Sequence, residues 1–546
     1  MRLLVMVKTH LIQSLHSALK HLDYTETSVQ ITPAKNPKFG DLSTNLAFSL
    51  SKQVGIKPIE VAIQIQSHLK PDPEIIREVT VTEPGFINFH INKIYYQKLP
   101  VSVLNAGNKF GRGKTGIGKT ANVEFVSANP TGPLTVGHGR QAVFGDTVAG
   151  ILAWHGYDVT REYYYNNAGR QMRILGASVE ARYFQELGKS VSLPKDGYKG
   201  NYLIDIAKII RKEHGDKLQE GDPIFLQETE NSIFNIIKST LEKIGVQHNY
   251  FSNEKIFYDN GSIDELMSSL KDKKLIYEAE GATWFKTTAL GKKQDRVLIK
   301  STGEPTYRLP DMAYHQDKMK RGFDLIIDVF GADHVDTYPD VLACLKVLDF
   351  DTDKIKILIH QFVTLINGGK IVKMSTREEQ FIALEHLINE VGSDVVRYFF
   401  IMRGMNSHLN FDMDMAKDQS DQNPVYYLQY AHARISNIIK NGKSLGYELS
   451  ESFYPELLSN NSEIDLLKKL DQFPMIMDTA LELLEPQGIA NYLQSLASAF
   501  HKFYVDCRVI MKDKKISQAR LALISATQVV LRNGLNILGI TAPKRM

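Results

Sequence analysis

The chain has 546 residues, 43% hydrophobic and 23% charged, with 65 Lys+Arg against 62 Asp+Glu and a net charge of +3. That length is more than one core organises and suggests roughly three or four domains of ordinary globular composition. No run approaches the ~18 uninterrupted apolar residues of a membrane span, and Cys344 and Cys507, the two cysteines, cannot build a disulfide framework or a four-cysteine zinc site; a reducing cytoplasm is expected.

Leu4, Val7, Leu11, Leu15 and Leu19 recur at helical spacing. The acid-free N-terminus carrying Arg2, Lys8 and Lys20 therefore reads as an amphipathic helix in preference to a transit peptide. A polar loop from Pro33 to Asp41 leads to a predicted helix around Ser43 to Val54, then to short strands at 79–82 and 86–89. Residues 1–115 read as a small α+β unit, ending in a Gly/Lys-rich linker from Gly107 to Lys119. Within that linker, Gly113 to Thr120 fits the Walker A pattern. A phosphate cradle needs a strand before it and a helix after it; here a strand-like run follows at once, so the match is set aside.

That run, Asn122 to Ser127, is followed by a Pro/Gly loop and a predicted helix from Gly139 towards Trp154. Strand, glycine loop and helix in this order open a doubly wound α/β domain, expected over 116–393. Further strand candidates are 296–299, 325–329 and 355–359, with a mostly helical, polar insertion over about 165–285. From 394 to 546 the pattern is helical, apart from loops near 441–454 and 512–516. Charge is uneven there. Residues 421–485 carry 5 basic and 10 acidic residues, and 486–546 carry 9 and 2, a distribution able to turn a positive face to a phosphate backbone.

Two segments carry nucleotide chemistry. In Pro133-Leu134-Thr135-Val136-Gly137-His138-Gly139-Arg140, Gly137 permits close approach to the backbone, while His138 and the amides opening the following helix at Gly139 offer donors to phosphate oxygens. In Lys370-Ile371-Val372-Lys373-Met374-Ser375-Thr376-Arg377, Lys373 supplies a cation that can follow charge on a departing diphosphate. Together the two resemble the HIGH and KMSK signatures of class I aminoacyl-tRNA synthetases. The resemblance implies attack of an amino-acid carboxylate on the α-phosphate of Mg²⁺-bound ATP, with no protein-held metal.

Longer segments narrow it. Val123 to Arg140, Tyr163 to Gln171, Asn423 to Arg434, Phe39 to Asn45 and the run Leu538 to Met546 resemble arginyl-tRNA synthetases. The resemblance implies a Rossmann-type catalytic domain, an N-terminal domain on the tRNA elbow and a C-terminal helical bundle on the anticodon. It implies tRNA(Arg), L-arginine and ATP as partners; no membrane is expected, and as nothing in the sequence suggests an obligate oligomer, a monomer is expected. It places Pro133, Thr135, Gly137, His138, Asp333, His334, Lys370, Lys373, Met374 and Ser375 on ATP, with His138 and Lys373 catalytic. Glu254, Tyr307 and Asp311 fall on the substrate guanidinium, and Glu124, Ser127 and Asn129 near its α-amino and carboxylate end.

A guanidinium is planar and permanently charged, so its pocket needs carboxylates set for bidentate hydrogen bonds. Tyr307 and Asp311, four apart, share a face where this segment is helical, although Pro310 favours a helix from Leu309 onward. At the RNA end, aromatic and basic residues interleave, among them Tyr430, Arg434 and Arg508, as stacking on unpaired bases requires; Phe500 and Phe503 are expected in the core.

Three positions depart from the family: Thr135 replaces the first histidine of HIGH, Thr376 the second lysine of KMSK, and Asn167 a usual aspartate. Thr135 and Thr376 motivate one alternative, a non-catalytic tRNA-binding paralogue. Another class I synthetase, such as the cysteine enzyme, is the other, although that enzyme usually holds zinc with cysteines.

Overall fold

The computed structural model describes residues 3–24, 28–34, 36–167, 169–332, 335–372, 383–449 and 453–546. The first helix, Leu3–His21, buries Val7, Leu11, Leu15 and Leu19, as its periodicity predicts. It belongs to an N-terminal unit with a four-stranded antiparallel sheet, in the order 32–33, 42–44, 86–91, 76–82. The helix predicted over Ser43 to Val54 divides into a strand, Leu42–Thr44, and a helix, Leu46–Val54. Ser43 and Thr44 extend along Asn88 and Ile87, so sheet pairing overrides the helical pattern at its start.

The middle domain is built on a five-stranded parallel sheet in the order Ile355–His360, Leu325–Gly331, Thr120–Glu124, Asp158–Tyr165, Tyr250–Asn253. Chain order reverses between Thr120–Glu124 and Leu325–Gly331, so their carboxyl ends flank a topological switch point, where doubly wound sheets bind ligands. Two expectations are corrected. The insertion is helical over Gly169–Glu186, Asn201–His214 and Ile224–Lys243, but the chain then returns to the central sheet as Tyr250–Asn253, a short polar edge strand lacking an apolar run. Arg296–Ile299 lies outside that sheet, pairing antiparallel with Ala282–Phe285, which pairs with Ile276–Ala279.

The Gly/Lys linker has no helix after it. Strand Thr120–Glu124 follows, and Gly113 and Gly116 lie so close to His155 and Tyr157 that an added Cβ would sit 1.9 and 2.0 Å from those rings. These glycines serve packing. The C-terminal bundle comprises Pro424–Ser444, Asn461–Leu483, Gln487–Asp506 and Lys514–Ile537. The loops are shorter than predicted: the first of these helices runs past Asn441, and Asp513 caps the last by accepting from Lys515 and Ile516 N–H. Phe500 and Phe503 are fully buried. Among the described residues no helix is long and apolar enough to cross a membrane.

Buried arginines tie the units together. The Arg397 guanidinium, 1% exposed, donates to Leu538 O at 2.8 Å, Ile244 O at 2.9 Å and Asp146 at 2.7 Å. It thereby joins the last helix, the insertion and the helix Val136–Trp154. Arg140, on that same helix, donates to the carbonyls of Gln361, Gly404 and Ser407. Asp41 of the N-terminal unit pairs with Lys468 of the bundle. Arg397→Leu leaves the carbonyls of Leu538 and Ile244 without this donor, while Asp146 keeps Arg161 at 3.0 Å; a loss of about 1–3 kcal/mol for each carbonyl is expected in the urea-unfolding transition of the catalytic and C-terminal units.

Candidate active site

The carboxyl ends of the central strands converge on one cleft. Thr120–Glu124 runs into a left-handed turn, Val126 (φ 72°) and Ser127 (φ 42°), a costly backbone for a β-branched residue. The turn folds Ser127 back so that its Oγ donates to Glu124 at 2.8 Å and accepts from Tyr164 N–H. The Pro/Gly loop follows, and Asn129 Oδ1 accepts from Asn166 N–H at 3.1 Å.

The helix carrying His138 begins at Val136, earlier than predicted, because Thr135 is its N-cap. Thr135 Oγ1 accepts from His138 N–H at 3.5 Å, and His138 Nδ1 accepts from Thr135 N–H at 3.2 Å. This reciprocal capping box satisfies two donors of the first turn. It also fixes the imidazole: with Nδ1 accepting, Nε2 carries the proton of the neutral ring and is the donor. A side chain at Gly137 would meet only Thr135 Oγ1, at 3.7 Å, so the helix start offers open backbone. At Gly139 a Cβ would strike Leu384 at 2.5 Å, so that glycine lets the helix approach the chain behind the lysine loop.

Lys373, Met374, Ser375, Thr376 and Arg377 lie outside the described residues, as do Asp333 and His334. The flanks of 373–382 are described. Strands Val363–Asn367 and Lys370–Ile371 form a hairpin through Gly368 and Gly369 (φ 57° and 69°), the positive-φ pair of a tight primed turn, and Lys370 is exposed beyond it. On the other side, Ala383 bridges Thr135, and Leu384 N–H donates to Leu134 O at 2.8 Å. Main-chain bonds thus join the first motif to the residues that follow 373–382.

Across the cleft, the end of Tyr250–Asn253 presents Glu254. Its oxygens accept from Tyr164 OH at 2.8 Å and Asn166 Nδ2 at 2.6 Å. Burial pushes its carboxyl up to about 7, with the like charge of Asp311 adding to the effect against the hydrogen bonds of Tyr164 and Asn166. Among the described residues no basic side chain pairs with it. Asp311 lies on helix Arg308–Lys320, which starts one residue earlier than predicted and holds Pro310 in its first turn. Tyr307 caps this helix and is 74% exposed, at the rim beside Tyr198.

Beneath lies a buried charge network. Lys318 Nζ donates to Glu124 and, at 2.6 Å, to Asp328. His315 lies 3.2 Å from both Asp328 and Asp311, and Tyr314 OH donates to Glu124 at 3.0 Å. Both Glu124 oxygens are engaged by protein donors, which makes this residue part of the framework. Glu124, His315 and Asp328 group as metal ligands do, yet the Lys318 ammonium already supplies the cation.

Asn167, the third departure, donates to Glu230 at 2.7 Å, where an aspartate would face a like charge. At the RNA end, Tyr426, Tyr430 and His501 stack at 6.2 and 6.1 Å, and the Arg434 guanidinium lies 4.3 Å over Tyr504. Tyr430 is partly exposed and Arg508 exposed.

A five-stranded doubly wound sheet with a capped helix start at its switch point is the architecture of the class I aminoacyl-tRNA synthetase catalytic fold. Comparison with known proteins agrees. Residues 101–435 match the class I (R) tRNA synthetase catalytic domain, residues 7–91 the arginyl tRNA synthetase N-terminal domain, and residues 428–546 the DALR anticodon binding domain. An arginine–tRNA ligase of Salinibacter ruber is 44% identical over 95% of this chain and 96% of its own length, and one of Desulfotalea psychrophila 47% identical over 93% of each. The Thermus thermophilus arginyl-tRNA synthetase structure superposes with a TM-score of 0.75 over 98% of this chain and 99% of its own, at 19% identity, a likeness of fold. The chain belongs to the arginyl-tRNA synthetase family and is an aminoacyl-tRNA ligase.

Replacing Thr135 by valine removes the cap while preserving shape. A loss of about 0.5–2 kcal/mol is expected, measured as a shift in the denaturation midpoint.

Proposed function

We propose that the cleft activates L-arginine with Mg²⁺-bound ATP and then transfers it to tRNA(Arg). An arginine carboxylate oxygen attacks the α-phosphorus and the bond to the β-phosphate breaks, releasing diphosphate. A hydroxyl of the terminal adenosine of tRNA then attacks the carbonyl carbon and AMP leaves. The observation that carries this reading is the buried Glu254 carboxyl, with which no basic side chain among the described residues pairs, beside Asp311 and opposite a helix start capped by Thr135 and His138.

His138 and the amides behind Thr135 bind the phosphates as charge develops on them. Lys373, Met374, Ser375 and Lys370 close from the lysine loop, Asp333 and His334 take the ribose, and Pro133 with Gly137 keeps the approach open. The guanidinium lies between Glu254 and Asp311, with Tyr307 closing the rim. Ser127 and Asn129, aimed by Glu124 and Asn166, take the α-amino and carboxylate end. Citrulline or lysine leaves buried acceptors unpaired, a loss large enough to discriminate without editing. The Tyr430–His501 ladder, with Arg434 and Arg508, stacks and grips anticodon bases, and the N-terminal unit takes the elbow. The enzyme acts as a monomer in the cytoplasm. Charging of total tRNA with each radiolabelled amino acid in the presence of ATP tests the whole: arginine alone is expected to be incorporated, and tRNA retention without incorporation overturns the catalytic reading.

The Glu254 carboxyl gives this reading a pH signature. With a ligand-free pKa of about 7, the site is partly protonated below neutrality, and the guanidinium needs the carboxylate. Arginine binding therefore strengthens as pH rises through that value. The arginine KM is expected to fall about tenfold from pH 6 to pH 8, with protons released on binding, read by calorimetry in two buffers of different ionisation enthalpy. Glu254→Gln should flatten the profile while raising KM.

A further inference from the structure

Asp311 has a carboxylate and a long first turn to swing on, and what aims it comes from its own helix. Four residues on, His315 is buried, with Nδ1 3.2 Å from Asp311 Oδ1 and 2.9 Å from Asp311 O, and Nε2 3.2 Å from Asp328 Oδ2. Asp328 is held by Lys318, and Lys318 by Glu124, which accepts from Ser127. Resting on the arginine-site reading above, we propose that His315 is a positioning residue for arginine: its ring joins Asp311 to Asp328 and so couples the carboxylate for the guanidinium to the Glu124–Ser127 end of the same pocket.

Geometry and charge agree. Burial opposes a charged ring, yet Asp311 and Asp328 outweigh it and raise the imidazole to about 10, so both nitrogens donate and His315 cannot act as a base near neutrality. The titratable groups facing it are Asp311, Asp328, Lys318, Glu124 and Tyr314, the last edge-on at 5.3 Å. Nothing in ATP binding needs this ring. It acts on the substrate through Asp311, so it sharpens arginine recognition and leaves the nucleotide half of the site alone.

Two near-isosteric replacements separate its two contacts. The amide nitrogen of His315→Asn falls near the position of Nδ1 and keeps the donor to Asp311; that of His315→Gln falls near Nε2 and keeps the donor to Asp328. Steady-state kinetics are measured for both, for Asp311→Asn, and for the H315Q/D311N double variant. H315Q is expected to raise the arginine KM about tenfold or more while the ATP KM moves less than about threefold, H315N to stay closer to wild type, and H315Q to add little on the D311N background. If D311N leaves the arginine KM unchanged, the arginine-site reading itself fails. If D311N raises it while H315Q does not, or if the double variant is additive, or if arginine and ATP KM rise together in both His315 variants, the positioning role is overturned.

Discussion

The arrangement hangs on one ammonium group. Glu124, the last residue of its strand, pairs with Asp328 in the middle of the adjacent parallel strand at the switch point, where burial penalises any carboxylate. Lys318 enters between them from helix Arg308–Lys320 and bonds both. Asp328 is thereby held well below the usual carboxylate range, since Lys318 and His315 outweigh its burial. Glu124 stays above its ordinary value, burial prevailing over the pull of Lys318. A charge pair this deep is costly to break from either side, so the helix has one place to lie. Everything on its sheet-facing side, His315 and Asp311 included, takes its position from that pairing.

The two halves of the cleft are made differently. The half proposed for the nucleotide uses main chain: a capped helix start, a hairpin with glycines in the left-handed region, and a bridge between Thr135 and Ala383. The cap is made by the Thr135 hydroxyl, a side-chain oxygen that the histidine usual at this position lacks. The half proposed for arginine uses side chains, where a single change of charge is felt at once.

Much of this was legible in the chain. The parallel strands at 325–329 and 355–359, the buried N-terminal helix and the rejection of the false Walker motif follow from pattern and context, whereas the packing of its glycines against His155 and Tyr157 does not. The family motifs led to Glu254 and Asp311. What pattern could not reveal was tertiary. Tyr250–Asn253 is too short and polar to announce a strand, yet it adds to the sheet because Tyr163 to Tyr165 present an edge to it. Arg296–Ile299 reads as a parallel strand until its hairpin partners are known. Lys318 and His315 went unnoticed as site residues, although Asp311, His315 and Lys318 stand at i, i+4 and i+7 among buried Leu309, Met312 and Ala313. Charges at core spacing on one helix face were the available signal.

Arg397 has a bearing on how the molecule is made. A ribosome delivers this guanidinium well before it delivers Leu538, whose carbonyl it needs, and after Asp146 and Ile244 have been synthesised. Until the last helix docks, a buried cation site stands open to water at the back of the His138-bearing helix. The His138-bearing helix and the C-terminal bundle therefore mature together, and a nascent chain reaches its final core only after the last helix has been translated.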